Sequence, residues 1–416
     1  MNDLSMYLVR QQFPDNRIDD IESAVHSSLL NGRIPVSPGA QIALTVGSRG
    51  IANLERIVKA AVSTLIEMGA RPFIVPAMGS HGGATAEGQL EVLASYGITE
   101  DRVGAEIRSS MDTVELPAPG LENRVYMDRN AYESDGVILL NRAKPHTDFH
   151  GQWESGLVKM AVIGLGKQHL ADEIHSFGIR GLKELISPTA DFVLRSGKIL
   201  GAIGVAENAF DQTMAIESVA ADRVMETDSR LLELARTNMP RLPVSEIDVL
   251  VIDVMGKDKS GTGVDTNIIG RISIRGEDEP SEPNISSIVI TDLSEVSHGN
   301  AIGVGLCDVI TRRLHDKIDF QATYENSITS SFLDRCKVPL VAETDAGALA
   351  VALRAAGCRK PEDSRIVRIR STLELRELLV SEVLRSEIEG NDHATIGSGP
   401  LPLLEPDGSL GPFPGA

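Results

Sequence analysis

Short apolar runs that end in glycine-rich loops alternate with segments of helical apolar spacing in the first part of the chain. The run 41–46 ends in such a loop at 47–50, and the run 71–78 ends in another at 79–83. Each loop leads into a segment whose apolar residues recur every three or four positions. A third apolar run, 136–141, continues the series. Strands that alternate with helices in this way predict an α/β fold with a parallel sheet.

A change of composition near residue 243 predicts a boundary between two domains. Segment 217–238 has helical spacing, and the following stretch, 238–248, contains two prolines and few apolar residues. We therefore expect an N-terminal cofactor-binding domain, 1–243, and a C-terminal domain, 244–416, that closes over the substrate. Each is predicted to contain a mainly parallel sheet flanked by helices, with the active site in the cleft between the domains.

The second domain is predicted to continue the alternation of strands and helices. Segments 247–254 and 286–293 are apolar and β-branched, and predict buried strands. Segments 300–315 and 373–390 have helical spacing and predict helices. The tail, 397–416, is rich in proline and glycine, so we expect an extended arm over the surface.

Composition narrows the classes of function. The formal net charge is −19, and no basic patch is visible, which argues against binding of nucleic acid or an anionic membrane. The three cysteines lack CxxC spacing, as expected in a reducing compartment. The N-terminal residues do not resemble a secretory signal, and no apolar run approaches the roughly 18–20 residues of a membrane span. These features predict a soluble, cytoplasmic protein.

Two basic residues follow neighbouring predicted strands. Arg49 lies in the loop GSRG, and His81 lies in GSHGG. Because ligands of parallel sheets bind at the carboxyl ends of the strands, both side chains are candidates for a site. Arginine suits recognition of a carboxylate or phosphate, although a salt bridge to the helix that carries Glu55 is an equal alternative. His81 is either an acid–base group or only a hydrogen-bonding residue of a phosphate-type glycine loop.

The stretch 141–176 concentrates reactive side chains. It contains four of the nine histidines, at 146, 150, 169 and 175, and the single tryptophan. The spacing of His146 and His150 would suit a metal pair on a helix, but Pro145 makes a helix there unfavourable. Lys159 lies in an apolar, glycine-punctuated run and is either a desolvated nucleophile or a lysine that reaches out from a helix edge.

The remaining two histidines of this stretch have simpler interpretations. His169 lies beside Lys167 and Gln168 and is expected at the surface. His175 follows Lys159 by sixteen residues and lies on a predicted helix, where it could be a core residue. The residues together would serve proton abstraction next to a carboxylate, with a metal or cofactor nearby, but they do not identify that cofactor.

These motifs resemble the nickel-dependent lactate racemase family, whose members use a nickel-pincer nucleotide to racemise or epimerise 2-hydroxy acids. The resemblance rests on VGSRG, MGSHGG and KPHTDF, on the lysine of GLVKMAVIGL, and on the histidine of IHS. It implies that Lys159 attaches the cofactor covalently and that His175 ligates nickel. It also implies that His81 and His146 are the paired acid–base groups and that Arg49 holds the substrate carboxylate.

The resemblance implies further contacts as well. Ser48, Gly79 and Gly164 would line the cofactor, while Lys257, Lys259 or Arg271 would contact the substrate from the second domain in place of the residues that the family uses there. Some features differ from lactate racemases: the interval from His146 to Lys159 is about three residues longer, which makes His150 a rival base, and Val46 replaces an aspartate. The segment 265–273 (DTNIIGRIS) also lacks the Tyr-Gln and lysine of that family.

We therefore expect an isomerase, a racemase or epimerase of a 2-hydroxy acid other than lactate, larger or a sugar acid. Its cofactor would be absent from a recombinant chain made without the cofactor-producing enzymes. One alternative is a 2-hydroxy-acid or sugar-acid oxidoreductase of the same fold. Another is a non-catalytic binder of acidic small molecules. The expected partner is a small molecule, neither nucleic acid nor membrane, and a homodimer is left open.

Overall fold

The computed structural model describes residues 4–48 and 50–414. The chain divides into two compact units. One is Pro14–Met239, and the other combines the described residues of Met1–Phe13 with Pro240–Ala416. Within the described ranges, no helix is long and apolar enough to cross a membrane.

The strands are numbered in chain order. They are β1 (Ser5–Gln11), β2 (Gln41–Val46), β3 (Arg71–Pro76), β4 (Thr113–Leu116), β5 (Val125–Asp128), β6 (Gly136–Arg142), β7 (Ile199–Glu207), β8 (Thr213–Ala220), β9 (Glu246–Met255), β10 (Asn284–Leu293), β11 (Val309–Thr311), β12 (Leu340–Ala342), β13 (Ile366–Ile369), β14 (Glu377–Ser381), β15 (Ala394–Ile396) and β16 (Leu401–Pro402).

The α-helices follow the same convention. They are α1 (Ile21–Asn31), α2 (Leu54–Glu67), α3 (Ala86–Ser95), α4 (Glu100–Val103), α5 (Arg129–Glu133), α6 (Leu157–Lys159), α7 (Lys167–His175), α8 (Ile186–Leu194), α9 (Val224–Asn238), α10 (Thr266–Ile269), α11 (Arg312–His315), α12 (Phe320–Ser330), α13 (Asp345–Ala355) and α14 (Arg385–Glu389). Two π-helical turns, Met160–Gly164 and Gly181–Leu185, lie next to α6 and α8.

The unit Pro14–Met239 contains a sheet with the strand order β3-β2-β6-β7-β8. β2 pairs in parallel with β3 and β6, β6 pairs in parallel with β7, and β8 is antiparallel. The strands are buried and aliphatic because helices such as α2 cover the sheet with their apolar faces. The parallel order brings the carboxyl ends of β2, β3 and β6 to one edge, and the loops with the predicted site residues begin there.

The other unit contains a larger mixed sheet with the strand order β12-β11-β10-β9-β13-β14-β1-β15, and β16 pairs with β1. β9 to β13 form its parallel part, whereas β14, β1, β15 and β16 are antiparallel. Both units thus have α/β architecture with mainly parallel sheets flanked by helices, which confirms the predicted fold class. The predicted strands at 247–254 and 286–293 are β9 and β10.

Several local predictions differ from the structure. The segment 373–390 was expected to be a helix, but β14 occupies its middle because the consecutive apolar residues 378–380 pair with β1 and β13. The predicted helix at 300–315 contains β11, which pairs in parallel with β10. The predicted boundary at residue 243 lies near the division at 239/240, whereas β1 joins the sheet of the second unit.

The C-terminal tail is extended as predicted, but it contributes to the core. Leu403 and Phe413 are buried in the same hydrophobic cluster as Leu4 and Val249. The guanidinium of Arg370 lies 4.5 Å from the centre of the Phe413 ring, a cation–π contact. The tail therefore closes one face of the second unit.

We expect Phe413→Ala to destabilise the second unit by about 3 kcal/mol, because it removes a buried aromatic side chain and leaves a cavity. The matched control is Leu373→Ala, whose side chain is 40% exposed and should cost less than about 1 kcal/mol. Chemical denaturation followed by fluorescence and circular dichroism measures both. Equal effects of the two substitutions would contradict the assignment of the tail to the core.

Candidate functional site

The helical segment that carries Lys159 begins at a carboxylate from a distant helix. Asp228, on α9, accepts hydrogen bonds from the backbone N–H groups of Leu157 at 2.7 Å and Val158 at 3.0 Å. A Cβ on Gly156 would lie 2.0 Å from Asp228 Oδ1, so only glycine permits this approach. The carboxylate satisfies donors that the first turn of a helix leaves unpaired. Asp228 thereby fixes the position at which the segment starts.

Burial governs the ionisation of this carboxylate. Asp228 is buried, and desolvation raises its pKa to about 6 against the lowering effect of the two backbone hydrogen bonds. The group therefore changes its charge in a pH range where exposed aspartates are already ionised.

The loop between β6 and α6 is organised by another buried carboxylate. The backbone of Lys144 donates to the carbonyl of Ser155 at 2.7 Å and closes the loop. Glu154 accepts from the backbone N–H groups of His146 at 2.5 Å and Gly151 at 2.9 Å. Arg236 of α9 donates to the same carboxylate at 2.5 Å. Because these partners surround Glu154, the loop has a defined path and presents the His146 ring at its start.

The pKa of Glu154 reflects this environment. Burial alone would raise it, but hydrogen bonds from His150 and from the backbone of His146 and Gly151, together with the charge of Arg236, lower it. Glu154 is therefore an ionised anchor of the loop. Neither Glu154 nor Asp228 was identified from the sequence, since no local pattern connects them to the histidines.

His146 contacts Lys159 directly. Its Nε2 lies 2.6 Å from Lys159 Nζ, and its Nδ1 accepts a hydrogen bond from the backbone N–H of Asp148 at 3.1 Å. The ring stacks on buried Phe149, with 4.7 Å between the ring centres. His150, the rival for the same role, is exposed and has its Nδ1 3.3 Å from Glu154 Oε1. Of these two histidines, the structure places His146 beside the lysine.

His175 lies at the C-terminal end of α7 and belongs to the same electrostatic environment. Burial lowers its pKa, and a charged Lys159 would lower it further, while Asp148 and Asp172 act in the opposite direction. These causes favour a neutral imidazole, which is the form that binds metals. His169 is exposed, as predicted, and its Nδ1 contacts Thr113 Oγ1 at 2.9 Å.

The loop after β3 presents His81 at the surface. The Ser48 hydroxyl contacts His81 Nδ1, and Tyr96 donates a hydrogen bond to the Ser48 carbonyl at 3.0 Å. The loops after β2 and β3 are therefore linked at their tips, as expected for neighbouring parallel strands. Arg49, predicted to hold a carboxylate, lies outside the described residues.

The buried side chain of Lys167 supports this loop through Gln89. Lys167 lies 3.2 Å from Asp128 Oδ2 and donates to Gln89 Oε1 at 3.0 Å and to the Pro76 carbonyl. Gln89 in turn donates to the carbonyls of Gly79 and His81. Burial lowers the pKa of Lys167 and raises that of Asp128, and each is partly opposed by the charge of the other. The sequence suggested no role for Lys167, because its charge gave no sign of burial.

Gly79 and Gly164 join the His81 loop to the Lys159 segment. The N–H of Gly79 donates to the Gly164 carbonyl at 3.3 Å, and a Cβ on Gly79 would lie 3.2 Å from the Ile163 carbonyl oxygen. A Cβ on Gly164 would lie 2.8 Å from the Ala77 carbonyl oxygen. Both glycines therefore have a packing role in addition to the cofactor contact that the resemblance implies.

The two residues predicted to contact substrate from the second unit have structural partners there. Lys257 donates to the Gly261 carbonyl at 2.9 Å and to Asn326 Oδ1 at 2.8 Å. Arg271 donates to the Leu306 carbonyl at 3.0 Å and pairs with Asp308 at 2.9 Å. Their role in substrate binding stays a prediction.

Comparisons with known proteins give a similarity of fold. No protein-family model matches the chain, and no curated protein matches it. A crystal structure of a Thermotoga maritima protein from the Northeast Structural Genomics Consortium is similar with a TM-score of 0.50 and 11% identity, over 87% of this chain and 99% of that chain. The lactate racemase apoprotein from Thermoanaerobacterium thermosaccharolyticum gives a TM-score of 0.48 and 11% identity, over 89% of this chain and 99% of that chain. At this identity the Thermotoga similarity shows a shared fold and no reaction.

We expect Lys167→Met to destabilise the unit Pro14–Met239 by about 3–5 kcal/mol, because it leaves the buried Asp128 carboxylate without its cation. The double substitution Asp128→Asn with Lys167→Met should recover part of this loss. Exposed Lys59→Met is the control and should be nearly neutral. Thermal and denaturant unfolding measure the stability of the single, double and control variants. A Lys167→Met variant as stable as the control would contradict the buried ion pair.

The raised pKa of Asp228 predicts a pH dependence of stability. Because the folded state binds this proton more tightly than the unfolded chain, the contribution is largest below pH 4 and is lost as pH rises through about 6. Relative to Asp228→Asn, the wild type should therefore lose about 2 kcal/mol between pH 4 and pH 7. Exposed Asp222→Asn is the control, for which the difference from wild type should not vary over this range. If the free energies of unfolding of wild type and Asp228→Asn changed equally with pH, the raised pKa of Asp228 would be excluded.

Proposed function

We propose that the protein is a racemase or epimerase of a 2-hydroxy acid that uses a lysine-tethered nickel-pincer nucleotide. The observation that carries the proposal is the contact between His146 Nε2 and Lys159 Nζ, with His175 in the same electrostatic environment. These residues are three of those in the motifs that resemble the nickel-dependent lactate racemase family. An acid–base histidine, a half-buried lysine and a neutral imidazole form the protein part of such a site.

The residues fit this cofactor in their donor chemistry. Among the described residues, no group of three or more His, Cys, Asp or Glu side chains could hold a metal ion. A metal bound beside His175 would therefore need most of its donors from an organic ligand, as a pincer supplies them. Lys159 would hold the cofactor and His175 would ligate nickel. When bound, the group would accept and return a hydride at the substrate carbon.

The chain's own residues would position the substrate and transfer the protons. His146, with its ring oriented by the Asp148 backbone and by Phe149, would exchange the hydroxyl proton at Nε2. His81, oriented by the Ser48 hydroxyl, would serve the opposite face of the planar intermediate. Inversion needs one acid–base group on each face of the substrate carbon. Two histidines that follow different strands, β3 and β6, would meet this need. Arg49 would bind the carboxylate.

The substrate is proposed to be a 2-hydroxy acid other than lactate, larger or a sugar acid. The support is the sequence of the second unit, which lacks the family's Tyr-Gln and lysine in the segment 265–273. Ser48, Gly79 and Gly164 would lie along the cofactor, and Lys257 or Arg271 would reach the substrate after exchanging their present partners.

Chain produced in a host that makes the cofactor should contain nickel, carry a mass addition on Lys159 and invert at least one 2-hydroxy acid in a stereochemical screen. In D2O the inverted product should keep its original hydrogen on the hydroxyl-bearing carbon, because hydride does not exchange with water. Lys159→Ala should lose both the mass addition and activity, whereas Lys59→Ala should keep both.

The histidine variants separate the roles. His81→Ala and His146→Ala should each lower the racemisation rate by about 10²–10⁴-fold and keep the mass addition. His175→Ala should lower the nickel content. Racemisation by Lys159→Ala would refute the proposal, and accumulation of a 2-oxo acid without inversion would favour an oxidoreductase instead.

A further inference from the structure

The hydrogen bonds of His146 define its tautomer. The backbone N–H of Asp148 donates to Nδ1 at 3.1 Å, so Nδ1 uses its lone pair and carries no proton. The Asp148 carboxylate does not compete for this nitrogen, because its Oδ2 is 3.6 Å away, beyond hydrogen-bond distance. A neutral imidazole carries one ring proton, and here it must lie on Nε2.

This assignment determines the state of Lys159. Its Nζ lies 2.6 Å from Nε2, which acts as the donor of the pair. An ammonium group has three donors and no acceptor, so it cannot receive this hydrogen bond, whereas a neutral amine can. The flanking residues Leu157, Val158 and Met160 are buried, and Lys159 itself is partly buried. Lys159 is therefore held as an amine, the nucleophilic form of the side chain.

We propose that Lys159 is also an imine-forming lysine, which condenses with the carbonyl group of small 2-oxo acids in the chain that lacks its cofactor. The choice of 2-oxo acids rests on the proposed function, because a 2-oxo acid is the oxidised form of a 2-hydroxy acid. The amine chemistry rests on the geometry alone and needs neither metal nor nucleotide.

The condensation balances without an oxidant or reductant. The Nζ lone pair forms a bond to the carbonyl carbon, and the carbonyl electron pair moves to oxygen. One nitrogen proton passes to that oxygen to give a carbinolamine. The second nitrogen proton and the hydroxyl then leave as water while the C=N bond forms. His146 Nε2 adjoins Nζ and is placed to relay these protons.

The test uses the full chain produced without the cofactor-making enzymes, with pyruvate as the probe and sodium cyanoborohydride to trap the imine as a secondary amine. Peptide mass spectrometry gives the rate of modification at each lysine. We expect Lys159 to react about 100-fold faster than exposed Lys59, which is the lower range of acid–base assistance. Lys159→Arg should show no adduct at this position, and Lys59→Ala should leave the Lys159 rate unchanged.

The role of His146 has its own variant and a second measurement. His146→Gln should lower the Lys159 rate about 100-fold with an unchanged circular dichroism spectrum. Nitrogen NMR of histidine-labelled wild type should show the Nε2–H tautomer for His146, which does not depend on the stability of a variant. Modification of Lys159 no faster than Lys59, or an Nδ1–H tautomer, would overturn the inference. If protein that carries the cofactor racemised its substrate but the chain without cofactor formed no imine, this inference would be overturned and the proposed function would stand.

Discussion

The pairing of the Asp228 carboxylate with two backbone N–H groups is the constraint on which the site depends. It fixes the first residues of the helical segment, and the direction of that segment then determines where Lys159 emerges. The absence of a side chain at Gly156 is part of the same interaction, because the carboxylate occupies the space that a Cβ would need. α9, which contributes no predicted acid–base or metal-ligating residue, thus controls the position of the Lys159 amine.

The same principle recurs at the two histidine loops. Glu154 organises the loop that begins with His146, and the Lys167–Gln89 pair supports the loop that carries His81. Each of these supporting groups is buried and ionised or strongly polar, at a cost in desolvation that only several simultaneous hydrogen bonds offset. His81 and His146 follow the ends of β3 and β6, whereas Gln89 and Lys167 lie on α3 and α7 and Glu154 lies in the loop that it organises.

Sequence patterns predicted the sheet of the first unit well, because its buried parallel strands are continuous apolar runs bounded by glycine loops. They also separated His169 as a surface residue. They failed where tertiary pairing decides the structure: the residues around Leu379 have helical spacing, yet they form β14 because β1 pairs with them. The supporting groups Asp228, Glu154 and Lys167 could not be found either, since their partners are remote in sequence or are backbone atoms. The roles assigned to the site residues remain predictions.

The position of β1 has a consequence for how the chain is made. This strand precedes the unit Pro14–Met239 in the sequence, but its partners β14, β15 and β16 follow that unit, and Ser5 and Met6 pair with Pro402 and Leu401. The unit Pro14–Met239 is therefore an insertion within a second unit whose sheet is completed only after β14, β15 and β16 have been synthesised. During translation the inserted unit can fold early and on its own, whereas β1 must wait as an unpaired apolar strand. β1 and β16 are neighbours in one sheet, so a circularly permuted chain could join these two strands directly.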